Sequence, residues 1–379
     1  MKRHSSLISF FFAALACLLG FAQLTHAAET HRLLYVAEPG IRNYLEYGGH
    51  GVLVFDIDRK HQFLRRIPSA GLDNKGQPMN VKGICASVPL KRVFVSSLKT
   101  LMAIDLTTEK LVWEKTYPGG CDRMAISPDG KTIYVPSLEG AHWHVVDAAT
   151  GDVLAKIIPN SGAHNTIYGP SGKHVYLAGL RSPLLTVADT SSHTAVKTVG
   201  PFASFIRPFT INGSETLCFV NINGLLGFEV GDLQTGRKLH RVEVEGFAVG
   251  PTKRHGCPSH GIGMTPDEKE LWLTDAHNKR LHLFDATVMP PKQLTSIPLR
   301  DEPGWVTFSI DGRYAYPSTG DVVDVRSRKV IGGLEDENGK EIQSEKLLEI
   351  DFSGKEPVRA GDQFGFGREA RSPLKLSSH

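Results

Sequence analysis

Seven times along the chain an apolar run ends on an aspartate that opens a polar turn. The segments are VFDIDRKHQFL (Asp56), AIDLTTEKLV (Asp105), HVVDAATGDVL (Asp147), TVADTSSHTAV (Asp189), FEVGDLQTGRKL (Asp232), LFDATVMPPKQL (Asp285) and VVDVRSRKVI (Asp324). Successive spacings are 49, 42, 42, 43, 53 and 39 residues, and the two longest hold insertions, Leu72 to Asn80 and Phe247 to Pro258. Such a period marks a repeat architecture, in which one module cannot bury its apolar face alone.

A second marker precedes the aspartate in five units. It is a turn followed by a β-branched or aromatic run: SPDGKTIYVPSL at Ser127, GPSGKHVYLAGL at Gly169, NGSETLCFVNI at Asn212, TPDEKELWLTD at Thr265 and SIDGRYAYPST at Ser309. Asp-Gly or Ser-Gly between strand-like runs is a hairpin signal. Each unit therefore reads as strand, hairpin, strand, loop, strand, Asp-turn, strand. Helical periodicity is absent after residue 30. The expected fold is all-β, a seven-bladed β-propeller of four-stranded antiparallel blades, since radial packing leaves only short, protected edges. Two β-sandwiches would not produce so long a register. The first unit, starting at Leu33-Leu34-Tyr35-Val36, lacks its inner strand. The C-terminal stretch, either Lys346 to Asp351 or Val358 to Gln363, could supply it, so that strands from both termini close the ring.

Residues 1–27 read as a secretory signal peptide: Lys2, Arg3 and His4, an apolar run from Leu7 to Ala22, then small residues at Ala27-Ala28. The alternative is an anchoring helix, but the run is short of the roughly 20 apolar residues that span a bilayer. The propeller is assigned to 28–367 and a solvated tail to 368–379. Secretion or a periplasmic location follows, with no membrane span after cleavage. The 43 basic and 40 acidic residues give a net charge of +3, too small to argue for nucleic acid. Cleavage would leave Cys85, Cys121, Cys218 and Cys257, which an oxidising compartment permits to pair in any of three ways. Their wide spacing argues against structural zinc, and no Cys-x-x-Cys-His exists for covalent haem.

SPDGKTIYV…HVVDAATG and TPDEKELWLTD…LFDAT resemble the YVTN-repeat (WD40-like) family of extracytoplasmic propellers over about residues 31–352. The wider group is similar to propeller lactonases and to a haem-binding propeller of a periplasmic nitrite reductase. The resemblance implies architecture; no catalytic residue is carried over from it.

In a propeller the innermost strands line an axial channel, and the loops leading into them ring one mouth. Aligning the units on their hairpins superposes Lys82, Asp122, His164, Arg207, His260 and Gly304, with Arg123, Asn165 and Trp305 alongside. Clustered ionisable groups cost self-repulsion and desolvation unless something compensates, and an anionic ligand would. Arg207 could grip a carboxylate or phosphate, with Lys82 adding a point charge. Trp305 could offer a flat face to a sugar. His164 and His260 could exchange protons. The plainer alternative is a wet channel in which polar side chains are merely at home.

Other features read less specifically. His142 and His144 alternate in a strand and share a face, either half-exposed or metal-binding. Thr252 to Cys257 could lid the mouth or be a solvated loop, and Glu38 to His50 could form its rim. The seven turn aspartates read as structural. The sequence thus supports a propeller binding an anionic small molecule, a carbohydrate or a protein. The alternative is an enzyme at the same mouth, a lyase or lactonase-like hydrolase on a uronate or lactone, with His260 or His164 as acid/base. A metal-dependent version would use His164, His260 and Asp122. Non-covalent haem is a further alternative, and the sequence names no cofactor.

Overall fold

The computed structural model describes residues 30–252 and 254–365. The expected signal peptide, 1–27, and the expected tail, 368–379, lie outside the described residues. Within them are seven antiparallel sheets. Six have four strands in chain order, as in Val81–Ser87, Arg92–Ser97, Thr100–Asp105 and Leu111–Thr116. Innermost strands neighbour one another in sequence around the axis. The chain is a seven-bladed β-propeller.

The remaining blade is assembled from both ends. Leu347–Ser353 pairs with Thr30–Glu38 from Thr30↔Ser353 to Val36↔Leu347, and Gly51–Asp56 and Gln62–Ile67 complete it. The stretch beginning at Lys346 thus supplies the inner strand. The other candidate stretch, Val358 to Gln363, only overlaps the strand Glu356–Ala360, which folds back as a fifth strand, so this blade exceeds the expected four.

The two middle strands of a blade are apolar almost throughout because neighbouring blades cover both faces. Gly51–Asp56 is buried along its whole length and Arg92–Ser97 beyond its first residue. Outer strands such as Thr194–Val199 are largely exposed. The aspartate that ends each third strand folds the turn after it. Asp105 Oδ1 accepts the N–H groups of Thr107 and Thr108, and Asp147 Oδ1 those of Ala149 and Thr150. All seven blades shift register in the outer strand pair next to this turn, between Ala103/Ile104 and Val145/Val146 for example. Such a bulge adds twist. The sequence period is the record of this repeated device.

The last described residues turn into the axis. Gln363 Oε1 accepts the Ile84 N–H at 3.1 Å, its Nε2 donates to the Met124 carbonyl at 3.4 Å, and its own carbonyl accepts Trp305 Nε1–H at 2.5 Å. Phe364 joins the apolar cluster of Ile167, Phe209 and Ile211. The channel is therefore plugged on one side of the mouth. Cys85, Cys121, Cys218 and Cys257 are all buried and unpaired, so none of the possible disulfides forms. No helix among the described residues is long and apolar enough to cross a membrane.

Candidate ligand-binding site at the channel mouth

Three of the aligned lead-in residues fall within β-bulges. The inner pairing jumps from Val81 to Gly83 around Lys82, from Ala163 to Asn165 around His164, and from Ile206 to Phe209 around Arg207 and Pro208. A bulge re-aims side chains out of the regular alternation. Here Lys82, His164 and Arg207 line a cavity of about 210 Å³ at the mouth. Arg123 and His260 line it too.

Two carboxylates organise the site. Asp122 is fully buried behind the wall. Its Oδ2 accepts His164 Nδ1–H at 2.6 Å, while its Oδ1 accepts the Arg123 N–H at 2.9 Å and lies 3.3 Å from Lys82 Nζ. Burial opposes the charge on Asp122, but His164, Lys82 and Arg123 overcome it and hold the carboxyl below its ordinary range. Burial also lowers the His164 pKa. Its Nε2 faces Arg123 Nη1 at 3.4 Å, so a neutral ring with the proton on Nδ1 satisfies both neighbours.

Glu345 is the second centre. Its Oε2 meets Arg123 Nη2 and, at 2.8 Å, Lys346 Nζ, while its Oε1 lies 2.9 Å from His255 Nδ1. Lys346 and Arg123 keep this buried carboxyl ionised, well below its ordinary pKa, against the opposing effect of burial. Burial and then Arg123 bring the Lys346 amine down to about 7. His260 Nδ1 donates to the Gly304 carbonyl at 2.8 Å, and burial drives its pKa well below the usual value.

Two loops finish the mouth. The insertion before Cys257 contributes Arg254 and His255, with Arg254 anchored on Asp301, Gln343 and Tyr47. The loop after Glu38 contributes Ile41 and Arg42. The expected lid and rim are thus part of the wall.

Not every candidate reaches the cavity. Trp305 does not offer the open face expected for a sugar. It is 3% exposed, with the Arg123 guanidinium 4.4 Å from its ring centre, Phe364 at its edge and its N–H spent on Gln363. Asn165 is buried outside the cavity lining, and neither polar atom of its side chain has a hydrogen-bond partner. His142 and His144 do share a face, with Nε2 atoms 3.0 Å apart. Among the described residues no third ligating side chain joins them. The proposed metal set of His164, His260 and Asp122 is not assembled either, because Asp122 and His164 are spent on each other. The group that does come together is His255, His260 and Glu345. The sequence reading names Lys346 only as part of the closing strand and His255 only as part of the possible lid, and does not name Glu345. Glu345 and Lys346 immediately precede the inner strand of the closing blade. They occupy the seventh lead-in position, which an alignment of six units leaves out.

No protein-family profile matches the chain, and no curated protein matches it. Among solved structures, hydrazine synthase of Kuenenia stuttgartiensis superposes with a TM-score of 0.59 at 15% identity, covering 75% of this chain and 89% of that one. Dihydro-heme d1 dehydrogenase NirN, in complex with DHE, superposes with a TM-score of 0.60 at 16% identity, covering 86% and 72%. Both are propeller proteins. At such identities the likeness carries the fold alone.

Proposed function

We propose that this propeller binds a small anion, of the carboxylate, phosphate or sugar-acid class, at the plugged mouth of its channel. The supporting observation is the charge of the wall. Arg42, Lys82, Arg123, Arg207, Arg254 and Lys346 line it, against the carboxylates Glu139 and Glu345. Most of these cations have carboxylate partners, but Arg207 is held by neutral groups, Asn223 Oδ1 and the Gly256 carbonyl. Its guanidinium keeps donors for a planar anion. The volume is below the ~300 Å³ at which drug-sized pockets begin, which favours a small ligand. A haem-sized ring, of the kind named for NirN, would need the mouth to open.

Calorimetric titration with galacturonate, citrate and phosphate tests the reading. Binding in wild type that weakens about 10-fold or more in Arg207→Ala, and weakens with added salt, is the expected result. Identical titrations of both proteins would remove Arg207 from the site and with it this assignment.

The Asp122–His164 pair favours a second reading, an enzyme in which an oriented imidazole moves a proton on a uronate or lactone held by Arg207. Turnover in wild type that His164→Gln abolishes while retaining anion binding would establish it. Partial loss of both would leave a binding module. The basic, apolar N-terminus supports export to a secreted or periplasmic location, testable by cell fractionation.

A further inference from the structure

His255, His260 and Glu345 are buried, and one ligand atom from each lies within 4.8 Å of the others. His255 Nε2 is 3.2 Å from the Glu302 carbonyl, which fixes its proton there in the neutral ring. The lone pair then falls on Nδ1, only 2.9 Å from Glu345 Oε1. Two acceptors at that separation repel unless a cation lies between or beside them. Glu345 Oε2 is held by Arg123 and Lys346, so Oε1 is the oxygen presented to the histidines. Backbone and side-chain partners of this kind orient metal ligands in protein sites. His260 lies beside the same Oε1, its Nδ1 3.9 Å away, and with the Nδ1 proton given to the Gly304 carbonyl the lone pair of the ring falls on Nε2.

Room for an ion exists because residue 304 has no side chain. A Cβ there would lie 2.2 Å from His255 Nδ1 and 2.5 Å from Glu345 Oε1. The glycine that interrupts the ionisable lead-in positions thus faces His255 and Glu345, while its carbonyl meets His260.

We propose that His255, His260 and Glu345 form a three-ligand site for a first-row divalent cation of the zinc class, with a further position open to the mouth. Two imidazoles and a carboxylate are borderline donors that suit such an ion, whereas calcium and magnesium prefer oxygen sets. The competing occupant of the gap is a proton, which would make His255 an imidazolium.

The experiment is metal loading of the full mature chain, stripped with chelator, then dialysed against limiting Zn²⁺ or Co²⁺ without added anion. Retained metal is measured by mass spectrometry and Co²⁺ coordination by visible absorption. About one equivalent per chain is expected, with a four- or five-coordinate Co²⁺ spectrum. His255→Gln should lower affinity by about 10-fold or more. Gly304→Ala should do the same by filling the space while retaining every ligating residue. His142→Ala should change nothing. Wild type that retains no stoichiometric metal overturns the proposal, leaving a proton as the occupant. Metal retained equally by His255→Gln, or lost in His142→Ala, overturns it too. Because no anion is present, the outcome is independent of the anion-binding reading, and His255→Gln keeps the test decisive should Gly304→Ala fail to fold.

Discussion

His164 Nδ1 donates to Asp122 Oδ2 across 2.6 Å, and the bond is buried, with Asp122 at 0% exposure behind the wall and His164 at 6% within it. Asp122 also takes the Arg123 N–H and neighbours Lys82. An asparagine has one acceptor oxygen and cannot serve all three, nor balance the ammonium. Breaking a buried, charged network from one side costs about 3–5 kcal/mol. Asp122→Asn should therefore lower the unfolding free energy by about that much, read as a lower urea midpoint at an unchanged slope. A midpoint at the wild-type value would show that the pair contributes nothing to stability.

His61 does not line the mouth; it lies edge-on to Tyr314 and Tyr316, with Nε2 2.9 Å from the Tyr316 hydroxyl. Burial and the nearby Arg32 lower its pKa to about 4 from 6.5. Between those values the unfolded chain binds the proton and the folded one does not, so stability rises with pH across the window. Full stability holds above about pH 6.5 and is lost as pH falls toward 4, by about 3 kcal/mol for this group alone. Urea midpoints of His61→Gln at pH 7.5, 5.5 and 4.5 should fall less steeply than those of wild type. Parallel slopes would mean that His61 titrates normally in the fold.

Most of the fold was legible because one physical device repeats. An aspartate that must hold its own turn cannot drift in the sequence, so its period survived and counted the blades. Lys82, His164, Arg207 and His260 were legible for the same reason, since fixed hairpins place each lead-in residue in register. The bulges that aim Lys82, His164 and Arg207 were not, because an extra residue in a strand leaves no compositional mark. Glu345 and Lys346 were missed because their blade is split between the chain ends, so the seventh lead-in position is far from the unit it serves. Asp122 and Trp305 were found in the right place but given the wrong exposure. Their roles are set by Lys82, His164 and Arg123, which cover them from other blades.

Gln363 ties two inner strands together through its side chain and a third through its backbone carbonyl. Gln363→Ala leaves the buried Ile84 N–H without its acceptor, while the bond from Trp305 to the backbone persists. An unsatisfied buried donor costs about 1–3 kcal/mol. The variant should melt lower by a few degrees and exchange the Ile84 amide hydrogen faster than wild type. Unchanged exchange at Ile84 would show that the plug does not seal this position.

Ring closure depends on the strand Leu347–Ser353. Its residues Leu348, Ile350 and Phe352 share an apolar cluster with Tyr35 and Val54 of the N-terminal strands and with Ile84 and Val95 of the next blade. Deleting residues 345–379 removes that cluster's centre and strips the partner from Thr30–Glu38. Each blade is stable only between neighbours, so an open ring should lose its terminal blade and unfold without a single sharp transition. Ile350→Ala is the milder form of the same test, leaving a cavity at a cost of about 2–5 kcal/mol while preserving cooperativity. Calorimetry distinguishes the cases. The deletion should give a broad, low-enthalpy transition and Ile350→Ala a sharp one at lower temperature. A deleted chain that melts sharply near the intact protein would show that the ring holds without its closing strand.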